Sequence, residues 1–320
     1  MPRKTGRLFK WGAWGAVGAA YIAISSSLWI FHGPFPNLKS YVVDTVDETR
    51  HGYLLKPLSL FTLPESVIQA HALSNNLISV TKPVDQIQNM NFVNRDGSIK
   101  PEKYKGSTFS AYILLVSDPN RIKVITTKYM GQHGETVQAM VKDVGAVAGI
   151  NGGSFNDENW KGTGGDPEGV TMHNGKLITN IGAQTVIAFR KGGQMIAGDY
   201  TVAQLRKLDV QEAVSFGPVI VQDGKPVWVP DKGYDIRTAI GQEADGTVIL
   251  MVTTGRGIGG PGASLSQVAD VMIKYHAVIA ANLDGGSSTQ MVNNSKLVNT
   301  PWDIVGARSV GTSVVVMPGN

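Results

Sequence analysis

The chain contains no cysteine. Disulfide scaffolds, thiol nucleophiles, cysteine-ligated zinc and iron–sulfur clusters are therefore excluded. Charged side chains are also scarce, at 17% of 320 residues against 42% hydrophobic ones. That balance excludes wholesale disorder and suits one large domain or two small ones.

Most of the chain lacks an excess of either charge. The formal net charge of +4 comes from Arg3, Lys4, Arg7 and Lys10. Taking these four from 29 Lys and Arg leaves 25, against 25 Asp and Glu. A body without net charge has no overall attraction for a polyanion, so nucleic acid is not an expected partner.

The N-terminal basic residues precede an apolar segment, Trp11 to Phe31, that has no charged residue. As a helix rising about 1.5 Å per residue, it would be roughly as long as a hydrocarbon core is thick. Trp11, Trp14 and Trp29 would lie near its ends, as interfacial aromatics do. We predict a single-pass signal anchor in the cell membrane, with residues 11–31 in the bilayer, the N-terminus inside and the body outside. The alternative is a cleaved signal peptide, with a small-x-small site at Ala23-Ile24-Ser25.

Residues 32–107 are predicted to form a juxtamembrane, partly helical connector. Gly33-Pro34 and Pro36 end the first helix, and weak helical patterns follow at residues 64–76 and 83–91. From residue 108 to 320, short strand-like runs alternate with turn signals. Strands are predicted at residues 111–116, 122–126, 144–150, 186–189, 219–222, 239–241, 248–253, 276–283 and 313–317.

Two helices are predicted between these strands, at residues 135–143 and 264–275. In the second, Ser264 and Gln267 form a capping-box pattern and an apolar stripe follows. The predicted fold class is α+β, with a mixed, largely antiparallel sheet and a few packed helices, preceded by one N-terminal transmembrane helix.

A G-x-G-x-x-G pattern at Gly255–Gly260 suggests a dinucleotide site. In such a site the last glycine opens a helix. Here Pro261-Gly262 intervenes, and the predicted helix starts at Ser264. NAD is therefore not expected, and the segment is interpreted as a loop that presents Arg256 to an anion.

Glycine accounts for 38 of the 320 residues, about 12%, whereas its usual share is about 7%. Polar residues followed by glycines come directly after apolar runs at 151–155 and 282–288, and two similar arginine segments lie at 237–241 and 307–311. A strand fixes such a side chain, and glycine lets a ligand approach the backbone. Tight turns capped by Asn and Asp are the alternative for any single loop.

Together these segments resemble the phosphodiester glycosidase family, over roughly residues 108–320. The matching segments are Gly149–Phe155, Pro167–Val170, Asn174–Lys176, Phe216–Pro218, Arg237–Gly241, Asn282–Ser288 and Arg308–Gly311. The resemblance implies a hydrolase that cleaves the glycosidic bond of a sugar-1-phosphodiester. Some bacterial members of this family are exopolysaccharide-associated, which implies a cell-envelope or extracellular glycan as substrate.

The chemistry implied by the resemblance fits the residue types present. The leaving group is a phosphate monoester, far less basic than an alkoxide, so a strong general acid is not required. Arg237 and Arg308, with Arg256, suit a clamp on the phosphate. Asp284 is the first candidate for the carboxylate near the anomeric carbon, and Asp166 and Glu168 are second candidates.

The remaining candidates would contact the substrate around these groups. Asn151 would hydrogen-bond sugar hydroxyls or position water. The other predicted substrate-binding residues are Gly152, Asn282, Gly285, Gly286 and Ser287. Each assignment has a structural alternative: the arginines as ion-pair residues, Asp284 as a turn or cation ligand, and the two loop acids as solvated side chains.

One departure from the family pattern concerns residue 254. The family usually has Asp-Gly-Arg after this strand, whereas the chain has Thr254-Gly255-Arg256. The missing carboxylate supports a second hypothesis, a non-catalytic phosphoglycan- or teichoic-acid-binding module. Asp284 and the arginines favour the enzyme.

No cofactor is predicted with certainty. The six histidines show no zinc-ligand spacing. A calcium or magnesium ion held by Asp and backbone oxygens stays open, because such sites leave no sharp spacing signature.

Overall fold

The computed structural model describes most of the chain. The described residues are 5–35, 38–39, 42–43, 46, 54–64, 66–67, 92, 96–156, 163–182, 185–227, 229, 233–255, 260–300 and 306–319, with side chains from residue 14 onward. The chain divides into two compact units, Met1–Leu73 and Ser74–Asn320.

The first unit contains helix α1 (Thr5–His32) and the short helix α2 (Leu55–Leu58). The segment Trp14–His32 is long and apolar enough to cross a membrane. Its side chains are exposed from Trp14 to Ile24. This confirms an apolar N-terminal helix, which is compatible with a membrane anchor or a signal peptide; its orientation stays a prediction.

The second unit is built on three antiparallel sheets. The first has seven strands, in the order β1 (Ile99–Lys105), β2 (Ser110–Val116), β13 (Val248–Thr253), β12 (Thr238–Glu243), β14 (Ala277–Leu283), β10 (Val219–Gln222) and β11 (Lys225–Pro226).

The other two sheets have five strands each. One has the order β16 (Lys296–Leu297), β15 (Met291–Asn293), β4 (Ala148–Asn151), β17 (Thr312–Val316) and β3 (Ile122–Thr126). The last has the order β6 (Lys176–Ile181), β5 (Gly169–His173), β9 (Val210–Ser215), β7 (Val186–Arg190) and β8 (Met195–Gly198).

Three helices cover these sheets: α3 (Val137–Asp143), α4 (Val202–Lys207) and α5 (Leu265–Lys274). Ser264 and Gln267 form the predicted capping box of α5. Its apolar stripe is buried against strands of the seven-stranded sheet. Antiparallel sheets with few helices confirm the predicted α+β class.

The main core lies where the three sheets meet. Its buried side chains include Leu114 and Ile240 of the first sheet, Ile150 of the second, and Ile187 and Val214 of the third. Each such side chain stabilises the fold by about 1.5–3 kcal/mol relative to exposure. The sheets therefore form one packed body that fixes the strand ends carrying the candidate residues.

Several predicted strands have the observed bounds to within one residue, including 122–126, 219–222 and 248–253. The run 144–150 begins as a strand only at Ala148, because Val144 caps the C-terminus of α3. The strands that were not predicted include β5 and β6, which are joined by a turn at Asn174-Gly175. Both turn residues have positive φ, 49° and 74°, as a tight hairpin requires.

Two findings concern the predicted connector, residues 32–107. The seven-stranded sheet begins with β1 at Ile99, which pairs with β2 through Lys105, before the predicted domain start at residue 108. The three-domain division stays a prediction. The helices predicted at 64–76 and 83–91 lie almost wholly outside the described residues, apart from a helical piece at 66–67.

Candidate active site

Asn151, at the end of β4, is fully buried and joins three of the predicted segments. Its Nδ2 donates to the backbone oxygen of Asp284 at 2.6 Å. Its Oδ1 accepts from Thr238 Oγ1 at 2.9 Å and from the Gln290 backbone N–H at 3.1 Å. Both ends of the amide are thus engaged by protein, so its contacts are those of a positioning residue. We call Asn151, Thr238 and Gln290 the amide hub.

Asp284 follows β14 in a loop that crosses two other candidate segments. Its backbone N–H donates to Gly152 O at 3.2 Å, and the N–H of Gly286 donates to Ile236 O at 2.8 Å. A Cβ on Gly285 would stand 2.7 Å from Ile236 O, so only glycine allows this approach. Asp284 itself is half-buried. Residues 151–152, 236–238 and 284–286 are therefore brought together by these backbone contacts and by the side chain of Asn151.

Arg308 is half-buried, with its guanidinium carbon 4.8 Å from the centre of the Phe155 ring. Its Nη1 donates to Ser287 Oγ at 3.3 Å. Its backbone oxygen accepts from Gln290 Nε2 at 2.7 Å. The aromatic face, Ser287 and the buried Gln290 thus fix one arginine beside the Asp284 loop.

Gln290 and Phe155 were not predicted as site residues. Gln290 is fully buried, and its Oε1 accepts from the Val137 N–H at the start of α3. A buried glutamine that connects a helix N-terminus to an arginine backbone has no sequence signature. Phe155 did have a signal, because it ends the glycine-rich segment that begins at Asn151.

Arg237 makes contacts of another kind. Its Nε donates to Ala263 O at 3.2 Å and its Nη2 to Gly233 O at 3.3 Å. Its Nη1 lies 4.0 Å from Asp235 Oδ2, with 12% of the arginine side chain and 6% of the aspartate side chain exposed. These contacts tie the loop before β12 to the start of α5. A role of Arg237 in phosphate binding stays a prediction.

The two second-choice acids occupy different positions on one loop. This loop pairs with the segment after Asn151, because Glu168 N donates to Ser154 O at 3.0 Å and Asn156 N to Asp166 O at 2.9 Å. Asp166 is exposed, whereas Glu168 is half-buried and directly precedes β5. Glu168 thus lies next to a strand, whereas Asp166 lies in the loop before it.

Asn282 is the predicted substrate contact with an unused acceptor. It is buried, and its Nδ2 donates to Gly217 O at 3.1 Å. Within the described part of the chain, its Oδ1 is buried without a hydrogen-bond partner, and so is Ser288 Oγ. Because buried polar atoms are nearly always paired, Asn282 Oδ1 is suited to accept a hydrogen bond from an enclosed water.

Thr254, which stands where the family usually has an aspartate, hydrogen-bonds with Ser110 of β2. Thr254 Oγ1 accepts from the Ser110 N–H at 3.0 Å, and its own N–H donates to Ser110 O at 2.7 Å. The threonine thus extends the pairing of β13 with β2. Arg256 lies outside the described residues.

The segment that follows Arg308 pairs at Val310 with Glu135, whose carboxylate also forms an ion pair with Lys128. Glu135 pairs through its backbone with Val310, and its buried carboxylate accepts from Thr127 Oγ1 and the Lys128 N–H. The carboxylates of Asp143 and Glu135 raise the pKa of the Lys128 ammonium, and Lys128 lowers the pKa of Asp143.

Among the residues that the structure describes, no three His, Asp or Glu side chains come together as a metal site would require. A calcium or magnesium ion held partly by backbone oxygens, which the sequence leaves open, needs no such group. The structure brings the side chain of Arg308, a residue type that binds anions, to the loop that carries Asp284.

The fold and these contacts define a β-rich α+β protein with a polar site at the meeting point of glycine-rich loops. The model of the phosphodiester glycosidase family matches residues 144–317. The chain belongs to this family, as its sequence motifs predicted.

One curated protein has a similar sequence. A SPbeta prophage-derived uncharacterized protein, YomE, from Bacillus subtilis strain 168 is 26% identical over 208 residues, 60% of this chain and 31% of that protein. The match thus spans about a third of the length of this curated relative.

Two solved structures have a similar fold. The zebrafish N-acetylglucosamine-1-phosphodiester alpha-N-acetylglucosaminidase catalytic domain, auto-inhibited by its pro-peptide, superposes with a TM-score of 0.63 at 22% identity, over 72% of this chain and 87% of that one. A hypothetical protein from Synechocystis superposes with a TM-score of 0.51 at 16% identity, over 68% of this chain and 61% of that one.

Proposed function

We propose that the protein hydrolyses the glycosidic bond of a sugar-1-phosphodiester in a cell-envelope or extracellular glycan. Family membership supports a hydrolase acting on phosphodiester-linked sugars. The observation that carries the finer proposal is the amide hub, which joins the backbone of Asp284 to that of Arg308 through Asn151 and Gln290. A carboxylate and a guanidinium are thereby held on adjoining loops.

In this proposal Arg308 binds the phosphate. A guanidinium forms paired hydrogen bonds with phosphate oxygens and stays charged at every working pH. Phe155 lies against its face and Ser287 accepts from Nη1, so the orientation of the guanidinium is set before the substrate arrives. The bound charge also stabilises the phosphate monoester as it leaves.

The carboxylate of Asp284 acts at the anomeric carbon, and Glu168 is the second candidate. Acting as a base, it takes a proton from water while the water oxygen bonds to the anomeric carbon. The bond from that carbon to the bridging oxygen breaks, and its electron pair stays on the phosphate. The products are a free sugar and a phosphomonoester.

The proposed location is the outer face of a membrane. Helix α1 would anchor the chain, because Trp14–His32 could cross a bilayer. The basic residues before the helix favour an inside N-terminus and an outside catalytic unit. A substrate fixed in the envelope would then lie within reach of the site.

One observation favours a second candidate, a phosphoglycan-binding module without turnover. The family acid is absent at residue 254, and the Thr254 hydroxyl accepts from the Ser110 N–H as part of the strand pairing. In this case Arg308 would hold the phosphate while no group completes the reaction.

The test is an assay of the detergent-solubilised full chain on an α-N-acetylglucosamine-1-phosphodiester, with and without EDTA. Release of sugar should fall about 100-fold or more in Asp284→Asn, since general base catalysis typically contributes that much or more. Glu168→Gln and Asp166→Asn are tested in parallel as the second candidates, and Asp223→Asn, exposed in the turn between β10 and β11, is the matched control.

A loss in Glu168→Gln with activity kept in Asp284→Asn would reassign the base. No release, together with saturable binding of the phosphodiester that Arg308→Ala abolishes, would establish the binding module instead.

A further inference from the structure

Exposed apolar side chains in the unit Met1–Leu73 do not end with helix α1. Leu54, Leu58, Leu60 and Phe61 are also exposed, Phe61 to 75%. We call residues Leu54–Phe61 the apolar turn. Its only charged side chain is Lys56. Such a concentration of exposed apolar residues on a short segment is typical of a protein–protein or membrane interaction site.

The apolar turn is attached to the C-terminal end of α1. Ser27 Oγ donates to Leu58 O at 2.7 Å, and His32 Nε2 lies 2.6 Å from Thr62 Oγ1. Phe31 and Leu55 are buried within the same unit. The turn and the adjoining Thr62 therefore contact the helix from its last residue to the level of Ser27, about 7.5 Å away along the helix axis.

The backbone of the turn holds bulky side chains where glycine is preferred. Phe61 N donates to Lys56 O at 2.7 Å and Leu60 N to Pro57 O at 3.1 Å, the two bonds of a Schellman motif. Leu60 and Phe61 have φ of 53° and 60°, a strained region for large side chains. Exposure of these Leu and Phe side chains to water is unfavourable, whereas their burial in lipid is favourable.

We propose that the apolar turn inserts into the membrane interface, in the leaflet reached by the C-terminal end of α1. The inference rests on the proposed membrane anchor. The exposed apolar residues of α1, from Trp14 to Trp29, and the contacts that attach the turn to the end of this helix favour a lipid bilayer as the contacting phase. Lys56 extends to the headgroups, and the stacked rings of Trp29 and Phe35, 5.4 Å apart, lie at the interface.

The absence of cysteine allows a direct test with single labelled cysteines in the full chain. Phe61→Cys reports the turn, Ala19→Cys reports the middle of α1, and Ile181→Cys, exposed on strand β6 of the other unit, is the control. Each variant carries an environment-sensitive NBD probe in phosphatidylcholine vesicles. Quenching is measured with lipids that carry a spin label at carbon 5 or carbon 12, and with aqueous iodide.

The expected result is at least twofold stronger quenching of the probe at 61 by the carbon-5 label than of the probe at 181. The probe at 19 should be quenched more strongly by the carbon-12 label. Leu58→Cys gives a second reading of the turn should Phe61→Cys perturb it.

Two results would overturn the proposal, and they differ. Lipid quenching at 19 with iodide quenching alone at 58 and 61 leaves the anchor intact and removes the interfacial turn. Iodide quenching alone at all positions removes the anchor, and the turn with it.

Discussion

The arginine segments at 237–241 and 307–311 are similar in sequence and differ in environment. Arg237 is enclosed by backbone oxygens of Ala263 and Gly233 and by the carboxylate of Asp235. Arg308 lies on the ring of Phe155 and donates to a serine hydroxyl. The contacts of Arg237 tie its loop to the start of α5, whereas in our proposal Arg308 binds the phosphate. Contacts with distant segments therefore distinguish two arginines that are alike in sequence.

The largest effect is expected from Arg308→Ala. In a catalytic enzyme kcat/KM should fall about 100-fold or more, because the phosphate loses a charged donor in the transition state. Arg308→Lys should not restore the rate, since an ammonium cannot form the paired contact. Steady-state kinetics on the phosphodiester measures both variants, with Arg206→Ala, on the exposed face of α4, as control. Full activity in Arg308→Ala would refute the clamp.

Arg237→Ala should act on stability. The change removes the hydrogen bonds to Ala263 O and Gly233 O and the contact with Asp235, which together should cost about 1–3 kcal/mol. Thermal and urea unfolding measure the loss. A variant that unfolds like the parent but loses activity as Arg308→Ala does would make Arg237 part of the clamp and end the contrast between the two arginines.

Asn151→Asp should affect both arginine segments. Asn151 contacts Thr238, the neighbour of Arg237, and Gln290, whose side chain donates to the backbone oxygen of Arg308. The new carboxylate has the shape of the amide and cannot donate to Asp284 O when ionised. We expect a loss of about 2 kcal/mol in stability, and a lower activity even where the protein is folded. A loss of activity without loss of stability would instead indicate that Asn151 contacts the substrate.

The smallest effect is expected at Glu243, at the far end of the strand that follows Arg237. Burial and the nearby Asp245 raise the pKa of Glu243, against a smaller effect of His276. The folded state therefore binds the proton more tightly, and stability falls as pH rises from about 4.5 through this raised pKa. Since Glu243 is half-exposed, Glu243→Gln should be more stable at pH 7 by roughly a few tenths of a kcal/mol. Unfolding at pH 4 and pH 7 checks this, with activity unchanged; a difference equal at both pH values would contradict it.

The sequence predicted the α+β class because its strands are short apolar runs separated by turn residues. It did not predict β5 and β6, whose residues include polar side chains such as Thr171, Thr179 and Asn180. For the site, glycine-rich strand ends indicated which segments meet. The contacts of Arg237 with Ala263 and of Gln290 with Val137 join residues far apart in the chain, and no local pattern encodes them.

The most direct test of the proposed function locates the broken bond. The full chain is incubated with the sugar-1-phosphodiester in water enriched in ¹⁸O, and the released phosphomonoester, whose oxygens do not exchange, is analysed by mass spectrometry. Cleavage between the anomeric carbon and oxygen predicts no ¹⁸O in the phosphomonoester and loss of its release in Asp284→Asn. One ¹⁸O per phosphomonoester would show attack at phosphorus and contradict the account.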